Sequence, residues 1–245
     1  MDQATFQANF DLLCRQHSAT APRFDLSETR IFPLLDDDVR PPEFDAHYVY
    51  HTAWAARRLA AIAPAEHVDF ASSIHFVAIA SAMVPFRYME YQPSSFAMAG
   101  VEPGRADLTN LPFDSHSLPS VSCMHVVEHI GLGRYGDAID YDGDAKAMAE
   151  LARVVAPGGS LLFVVPVGRP RIVYNAHRIY SYRHVMEAFG RSFSLENFAL
   201  LTDQGTFLAQ ASTAEADAQV YGCGCFHLIK PRTDASPADG WLPGW

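Results

Sequence analysis

Val121–Gly168, VSCMHVVEHIGLGRYGDAIDYDGDAKAMAELARVVAPGGSLLFVVPVG, is the stretch whose reading decides the fold. It reads as a buried strand, a polar loop, an amphipathic helix, a Pro-Gly-Gly turn and a second buried strand. Met148, Leu151, Ala152 and Val155 recur at i, i+3, i+4 and i+7, one apolar stripe of a helix spanning Asp144 to Val155. Asp144 is the expected N-cap, and Pro157-Gly158-Gly159 is expected to stop the helix and reverse the chain. Ser160 to Val167 is apolar on both faces, as a central strand of a parallel sheet must be. Strand, crossover and strand make one right-handed parallel unit. Chemistry in such sheets sits at the carboxyl ends of the strands. Those ends carry Met124, His125, Glu128 and His129 after one strand, and Gly168, Arg169, Asn175, His177 and Arg178 after the other.

Outward from this unit, His47 to Ala63 reads as a helix with Val49, Ala53, Ala56, Leu59 and Ala60 as its stripe. His67–Ser73 is expected to be a strand running into a turn. Ile74–Met83 follows as a helix presenting Ile74, Val77, Ala78 and Ser81 on one side, and PFRYMEY as a strand ending near Glu90. After Tyr180 a helix is expected over His184–Phe189, a strand over Phe198–Leu201 and a last strand over Tyr221–Lys230, with no firm pattern between Asp203 and Gln219. Near the start, Phe6, Phe10, Leu12 and Leu13 suggest a short amphipathic helix, and residues 25–42 an extended segment.

The chain has 245 residues, 49% of them hydrophobic and 19% charged, enough to bury a full core in one domain. Its net charge of −10, from 28 acidic and 18 basic residues, lacks the basic footprint that a phosphate backbone demands, so nucleic acid is not the expected substrate. No apolar run approaches the ~20 residues that span a bilayer. No basic region followed by an apolar core opens the chain, and the four cysteines are too scattered for a disulfide framework, so the cytoplasm is the default location. Cys223 and Cys225 share a strand face without a second pair at zinc spacing, so they read as packing residues and no metal is expected. Asp36-Asp37-Asp38 reads as a solvated loop or cap. Asp140-Tyr141-Asp142-Gly143-Asp144 alternates carboxylates like a calcium loop, but the required glycine and glutamate positions hold Ala145 and Leu151, so an EF-hand is excluded. A capped loop is the expected use of Asp137, Asp140 and Asp142.

LPFDSHSLPSVSCMHVVEHI (111–130) followed by ELARVVAPGGSLLFVVP (150–166) resembles the second half of a class I S-adenosylmethionine-dependent methyltransferase. GLGRYGDAIDYDGD (131–144) and PVGRPRIVYNAHRIYS (166–181) narrow this to a methyltransferase-like family of unassigned function, first catalogued as nematode proteins and also present in bacteria. The resemblance covers roughly residues 45–190. It implies an α/β fold, a doubly wound, mostly parallel sheet with a C-terminal antiparallel hairpin, preceded by an N-terminal helical cap. The expected division is 1–45 as cap, 46–232 as the α/β domain and 233–245 as a loose tail, with Trp241 and Trp245 available to dock it. The implied cofactor is S-adenosylmethionine, with S-adenosylhomocysteine as product, and the expected partner is a small molecule; a homodimer stays open.

The resemblance also distributes roles. Asp69-Phe70-Ala71-Ser72-Ser73 stands where the superfamily carries an acid followed by glycines. The acid is kept and every glycine is gone, so the turn is expected to use ordinary backbone angles, with the hydroxyls of Ser72 and Ser73 on the methionine carboxylate. The rival reading is a degenerate loop, in a protein that catalyses another reaction or serves as a binding module. Glu90 matches the acid that takes the ribose diol, a good use of a carboxylate's two oxygens. Asp107 is expected on the adenine amine, or else capping its own turn, and Leu108 on the ring. Met124 and His125 line the cofactor pocket. For the base that removes the acceptor's proton, His177 is the first choice, His129 either an alternative or a structural residue, and Tyr180 a donor to the acceptor oxygen. Asn175 and Arg178 are expected to bind substrate. A nicotinamide-dependent Rossmann enzyme is set aside, since no G-x-G-x-x-G follows any expected strand.

Overall fold

In the computed structural model the described residues are 1–18, 26, 29–35, 44–93, 95, 97–190 and 192–232. The aspartate run 36–38 and the tail 233–245 lie outside them. Two compact units divide at Asp45 and Ala46. The first contains α1 (Gln3–Ser18), none of whose residues is buried. No described helix is long and apolar enough to cross a membrane.

The second unit is built on one sheet. β1 (His67–Phe70), β2 (Phe86–Glu90), β3 (Val101–Arg105), β4 (Leu118–Met124), β5 (Val155–Val167), β8 (Ser194–Leu201), β9 (Phe207–Leu208) and β10 (Gly222–Ile229) lie in the order β3-β2-β1-β4-β5-β10-β8-β9. β3 to β5 run parallel, with Phe70 opposite Met89, Val68 opposite Val121 and Cys123 opposite Phe163. β10 is antiparallel to both neighbours, so the sheet ends in an antiparallel edge. β6 (Arg171–Val173) and β7 (His177–Ile179) form a separate hairpin. The fold is Rossmann-like α/β.

Helices cover both faces because β5 is apolar on both. Leu161, Phe163 and Val165 pack with α4 (Gly143–Val154) and α5 (Tyr182–Phe189), through Leu151, Val154, Val185 and Phe189. Leu162 and Val164 face the other way, with α2 (Ala46–Ile62) and α3 (Ile74–Ala80), through Trp54, Leu59, Phe76 and Val77. All five of these β5 side chains are fully buried, worth roughly 1.5–3 kcal/mol each in transfer free energy. α6 (Thr213–Asp217) starts from a full capping box of Ser212 and Glu215.

Four local expectations are corrected. α2 buries His51, Trp54, Ala55 and Leu59, while Val49 is 48% exposed. Trp54 turns inward because its indole N–H donates to Asn197 Oδ1 at 3.0 Å. α3 buries Phe76, Val77 and Ala80, leaving Ile74 outside. Asp142 rather than Asp144 precedes α4, and Asp144 is drawn inward by Arg178 and Tyr180. Finally, α4 runs straight into β5. Leu118 pairs Val155 and Ser120 pairs Ser160, so Pro157-Gly158-Gly159 is a bulge within the strand and not a reversal.

Candidate functional site

A cavity of about 500 Å³ opens at the carboxyl ends of β1, β2 and β4, where the strand order reverses. Phe70 and Ala71 line it from β1, Met89 and Glu90 from β2, and Asp107 and Leu108 from the turn after β3. His125, His129 and Ile130 follow from the segment after β4, and Gly131, Tyr135, Asp137 and Asp140 from the loop beyond. Its size suits a small ligand.

The first wall is shaped by a residue the sequence read differently. Ala71 has φ +54°, so the chain adopts there the left-handed conformation that glycine would take, and not an ordinary one. A buried network holds it. Asp69 is fully buried and its Oδ1 accepts the Ser72 backbone N–H at 2.9 Å, while the Ser122 hydroxyl donates to Oδ2. Ser72 Oγ accepts the Met124 N–H at 3.1 Å. On the far side of Ser122, His67 sits between the hydroxyls of Ser120 and Ser122, and burial drops its pKa to about 3. Burial pushes Asp69 the other way, up to about 6. Asp69, Ser72 and Met124 therefore build the loop from behind, and neither they nor Ser73 line the cavity, against the expectation that the serine hydroxyls meet the ligand.

Glu90 stands on the wall, and the Tyr88 hydroxyl donates to its Oε1 at 2.7 Å. That bond fixes the carboxylate at the strand end. Asp107 Oδ1 accepts from the backbone and hydroxyl of Thr109, at 2.8 and 2.7 Å. Asp107 thus caps its own turn with one oxygen while lining the cavity. Leu108 is buried beside it.

The next wall carries two histidines. His129 Nδ1 lies 2.6 Å from the Ala176 carbonyl. A carbonyl only accepts, so Nδ1 is the donor of that pair, and Nε2 lies 3.9 Å from Glu128 Oε1. His125, at φ +57°, has Nδ1 2.8 Å from Glu128 Oε1 and Nε2 3.4 Å from Cys223 Sγ. Burial opposes a charge on this ring, yet Cys223 and Glu128 raise it to about 10. Burial also lifts the Cys223 thiol far above its ordinary range.

The residues expected to act on substrate lie behind this wall. His177 does not line the cavity; its ring stands 6.4 Å from that of His129, and burial lowers its pKa. Tyr180 is buried and its hydroxyl donates to Asp144 Oδ2 at 2.8 Å. Arg178 is 5% exposed, its guanidinium donating to the carbonyls of Ile130 at 2.6 Å, Tyr141 at 3.0 Å and Asp140 at 3.3 Å. It fastens both ends of the 131–140 loop, whose other side lines the cavity. That loop closes tightly: a Cβ at Gly131 would lie 2.0 Å from the Asp140 carbonyl oxygen. Asp137 Oδ2 accepts the N–H groups of Gly131 and Gly133, the capping expected of it. Asn175 is exposed in the β6–β7 turn, off the cavity wall.

The sequence reading named His125, His129 and His177 but missed the rings that connect them. His129, His177, Tyr221, His47, His125 and His51 form a chain of ring contacts with successive centroids 6.4, 5.0, 4.9, 5.5 and 5.0 Å apart. Only the four-residue spacing of His47 and His51 on α2 signalled part of it.

Residues 113–212 match the family described as "Caenorhabditis protein of unknown function, DUF268". The match covers less than half of the chain, and the family's description assigns no function. The matched DUF268 stretch holds β4, α4, β5, the His125–His129 wall and the hairpin behind it. No curated protein matches the chain. Among solved structures, N-methyltransferase NodS from Bradyrhizobium japonicum in complex with S-adenosyl-l-homocysteine is similar at a TM-score of 0.57 and 12% identity, over 81% of this chain and 94% of that one. The Burkholderia thailandensis 1,6-didemethyltoxoflavin-N1-methyltransferase gives 0.51 and 12%, over 79% and 93%. The cyclase SpnF gives 0.54 and 14%, over 74% and 80%. At these identities the fold is what is shared, and a fold does not name a reaction.

Proposed function

We propose that this protein transfers a methyl group from S-adenosylmethionine to an oxygen or nitrogen atom of a small molecule, such as a sugar or another biosynthetic intermediate. The observation that carries the reading is the wall of the switch-point cavity, where Ala71, Glu90, Asp107 and Leu108 meet around one space. They fit the cofactor. The left-handed turn at Ala71 supplies the close backbone approach usually given by glycine, which answers the degenerate-loop rival. Glu90, braced by Tyr88, suits a ribose diol, since a carboxylate accepts two hydrogen bonds at once. Asp107 and Leu108 offer an acceptor for an amine beside an apolar slot.

When bound, S-adenosylmethionine supplies a sulfonium methyl group for direct displacement. The chain's part is to orient the acceptor, exclude water and take a proton. His129 is the residue for the last task, since it lines the cavity and its ring is held by the Ala176 carbonyl at Nδ1. His177 and Tyr221 back it and do not touch the acceptor. The 131–140 loop, fastened by Arg178, forms the cavity wall beyond His129. A net charge of −10 favours an acceptor without strong negative charge.

Methyl-labelled S-adenosylmethionine, incubated with the protein and fractionated small metabolites, tests this reading. Labelled product is expected with the native chain, with a 10²–10⁴-fold slower rate in His129→Ala, the usual worth of a positioned base. No labelled product from any fraction, by a chain that binds the cofactor, would overturn methyl transfer.

A further inference from the structure

We propose a cation site of the zinc class formed by His47, His125 and Cys223. One nitrogen of each histidine and the Cys223 sulfur all lie within 4.8 Å of one another. Cys223 Sγ and His125 Nε2 are 3.4 Å apart. Two ligands of a tetrahedral zinc, with sulfur at about 2.3 Å and nitrogen at about 2.0 Å, stand about 3.5 Å from each other. This pair is already at coordination spacing. His47, half-buried in the first turn of α2, brings the third ligand atom within 4.8 Å of both.

The surroundings are those of a metal-binding histidine. The other ring nitrogen of His125 is held by the buried Glu128 carboxylate at 2.8 Å, the outer contact that aims a ligating imidazole. His51 supplies an independent observation. It is fully buried, its Nδ1 lies 2.6 Å from the His47 carbonyl, and its Nε2 has no partner. The carbonyl accepts, so that orphan nitrogen bears a lone pair, beside a ring 5.0 Å from its own. That buried, unpartnered nitrogen lies on a ring in edge contact with His125, next to the cluster. Glu128 Oε2 is likewise buried without a partner.

Imidazole with thiolate selects zinc or a similar soft to borderline ion over magnesium or calcium. Loading exchanges the thiol and His125 protons, released to solvent, for the metal. Three protein ligands leave a fourth position open, the arrangement of sites that engage a substrate. His125 belongs to both the cluster and the cavity wall. If the methyl-transfer reading holds, the open position serves the acceptor, whose oxygen or nitrogen it would make easier to deprotonate. The site itself stands without that reading. Cysteine spacing cannot reveal it, because the ligands come from α2, the end of β4 and β10.

The full chain, stripped with a chelator and titrated with cobalt(II) and then zinc(II), tests the proposal. One equivalent of cobalt is expected, with a thiolate-to-cobalt absorption in the near ultraviolet that zinc displaces. Cys223→Ser should lose the absorption, Cys14→Ser should keep it, and His47→Ala should bind zinc more weakly, all with native circular dichroism. Glu128→Gln should weaken zinc by about 10–100-fold. Failure of the native chain to bind cobalt would overturn the proposal. So would an absorption retained in Cys223→Ser, or unchanged zinc affinity in His47→Ala. Cobalt binding by a chain that does not bind S-adenosylhomocysteine would sink the methyl-transfer reading alone.

Discussion

Asp69 Oδ1 accepts the Ser72 backbone N–H at 2.9 Å, although neither residue lines the cavity. The acid of the first loop therefore acts on the loop's shape. Asp69→Ala should cost about 1–3 kcal/mol, the penalty of an unsatisfied buried donor, and should also weaken cofactor binding. Asp69→Asn keeps the acceptor and should do neither at neutral pH. Denaturant unfolding with ligand titration distinguishes the two variants.

The same residue makes stability depend on pH. Burial raises Asp69 from 3.8 to about 6. A raised carboxyl binds its proton more tightly when folded, so its contribution is complete below about pH 4 and lost as pH rises through 6. A shift of about two pKa units corresponds to roughly 3 kcal/mol. Between pH 4 and 7, Asp69→Asn should gain up to that amount relative to the native chain. Equal stability differences at both pH values would contradict an uncharged burial of Asp69.

Ala71 holds a left-handed backbone that costs an L-residue about 1–2 kcal/mol. Ala71→Gly should therefore raise the denaturant midpoint at unchanged slope, the gain trimmed by the entropy glycine adds to the unfolded chain. Ala71→Val should lower it by more than glycine raises it, because a β-branched side chain fits that conformation worst.

Arg178 spends its donors on three carbonyls of the 130–141 segment and pairs with Asp144 at 3.5 Å. Arg178→Ala removes the partner of the buried Asp144 carboxylate as well as those bonds, and should cost about 3–5 kcal/mol. Arg178→Lys should recover little, since an ammonium cannot reproduce the planar fork. Thermal unfolding measures both. A substrate-binding arginine would instead alter KM at unchanged stability.

Much of this architecture is legible in the chain because burial leaves a plain mark. Leu161–Val165 has no polar residue, and only a strand covered on both sides tolerates that. Glu90, Asp107 and Leu108 were named from the resemblance, and the structure places all three on the cavity wall. The inward face of α2 was misread for the opposite reason: Trp54 points inward to Asn197 and His51 is fully buried, and apolar periodicity counts a buried histidine as surface. β3, Val-Glu-Pro-Gly-Arg, has no apolar run and is a strand only because β2 pairs with it. Arg178 looked like a substrate ligand because the carbonyls it serves lie some forty residues earlier. The His47–Cys223 cluster joins segments far apart in the chain, so no local pattern announces it.

The central claim is that the cavity behind Ala71, Glu90 and Leu108 binds S-adenosylmethionine, and calorimetric titration of the full chain with S-adenosylhomocysteine tests it most directly. One equivalent should bind the native chain, and Glu90→Ala should weaken binding by at least about tenfold, the worth of a charge-assisted hydrogen bond. No heat and no stabilisation in the native chain at millimolar ligand would contradict the account at its root.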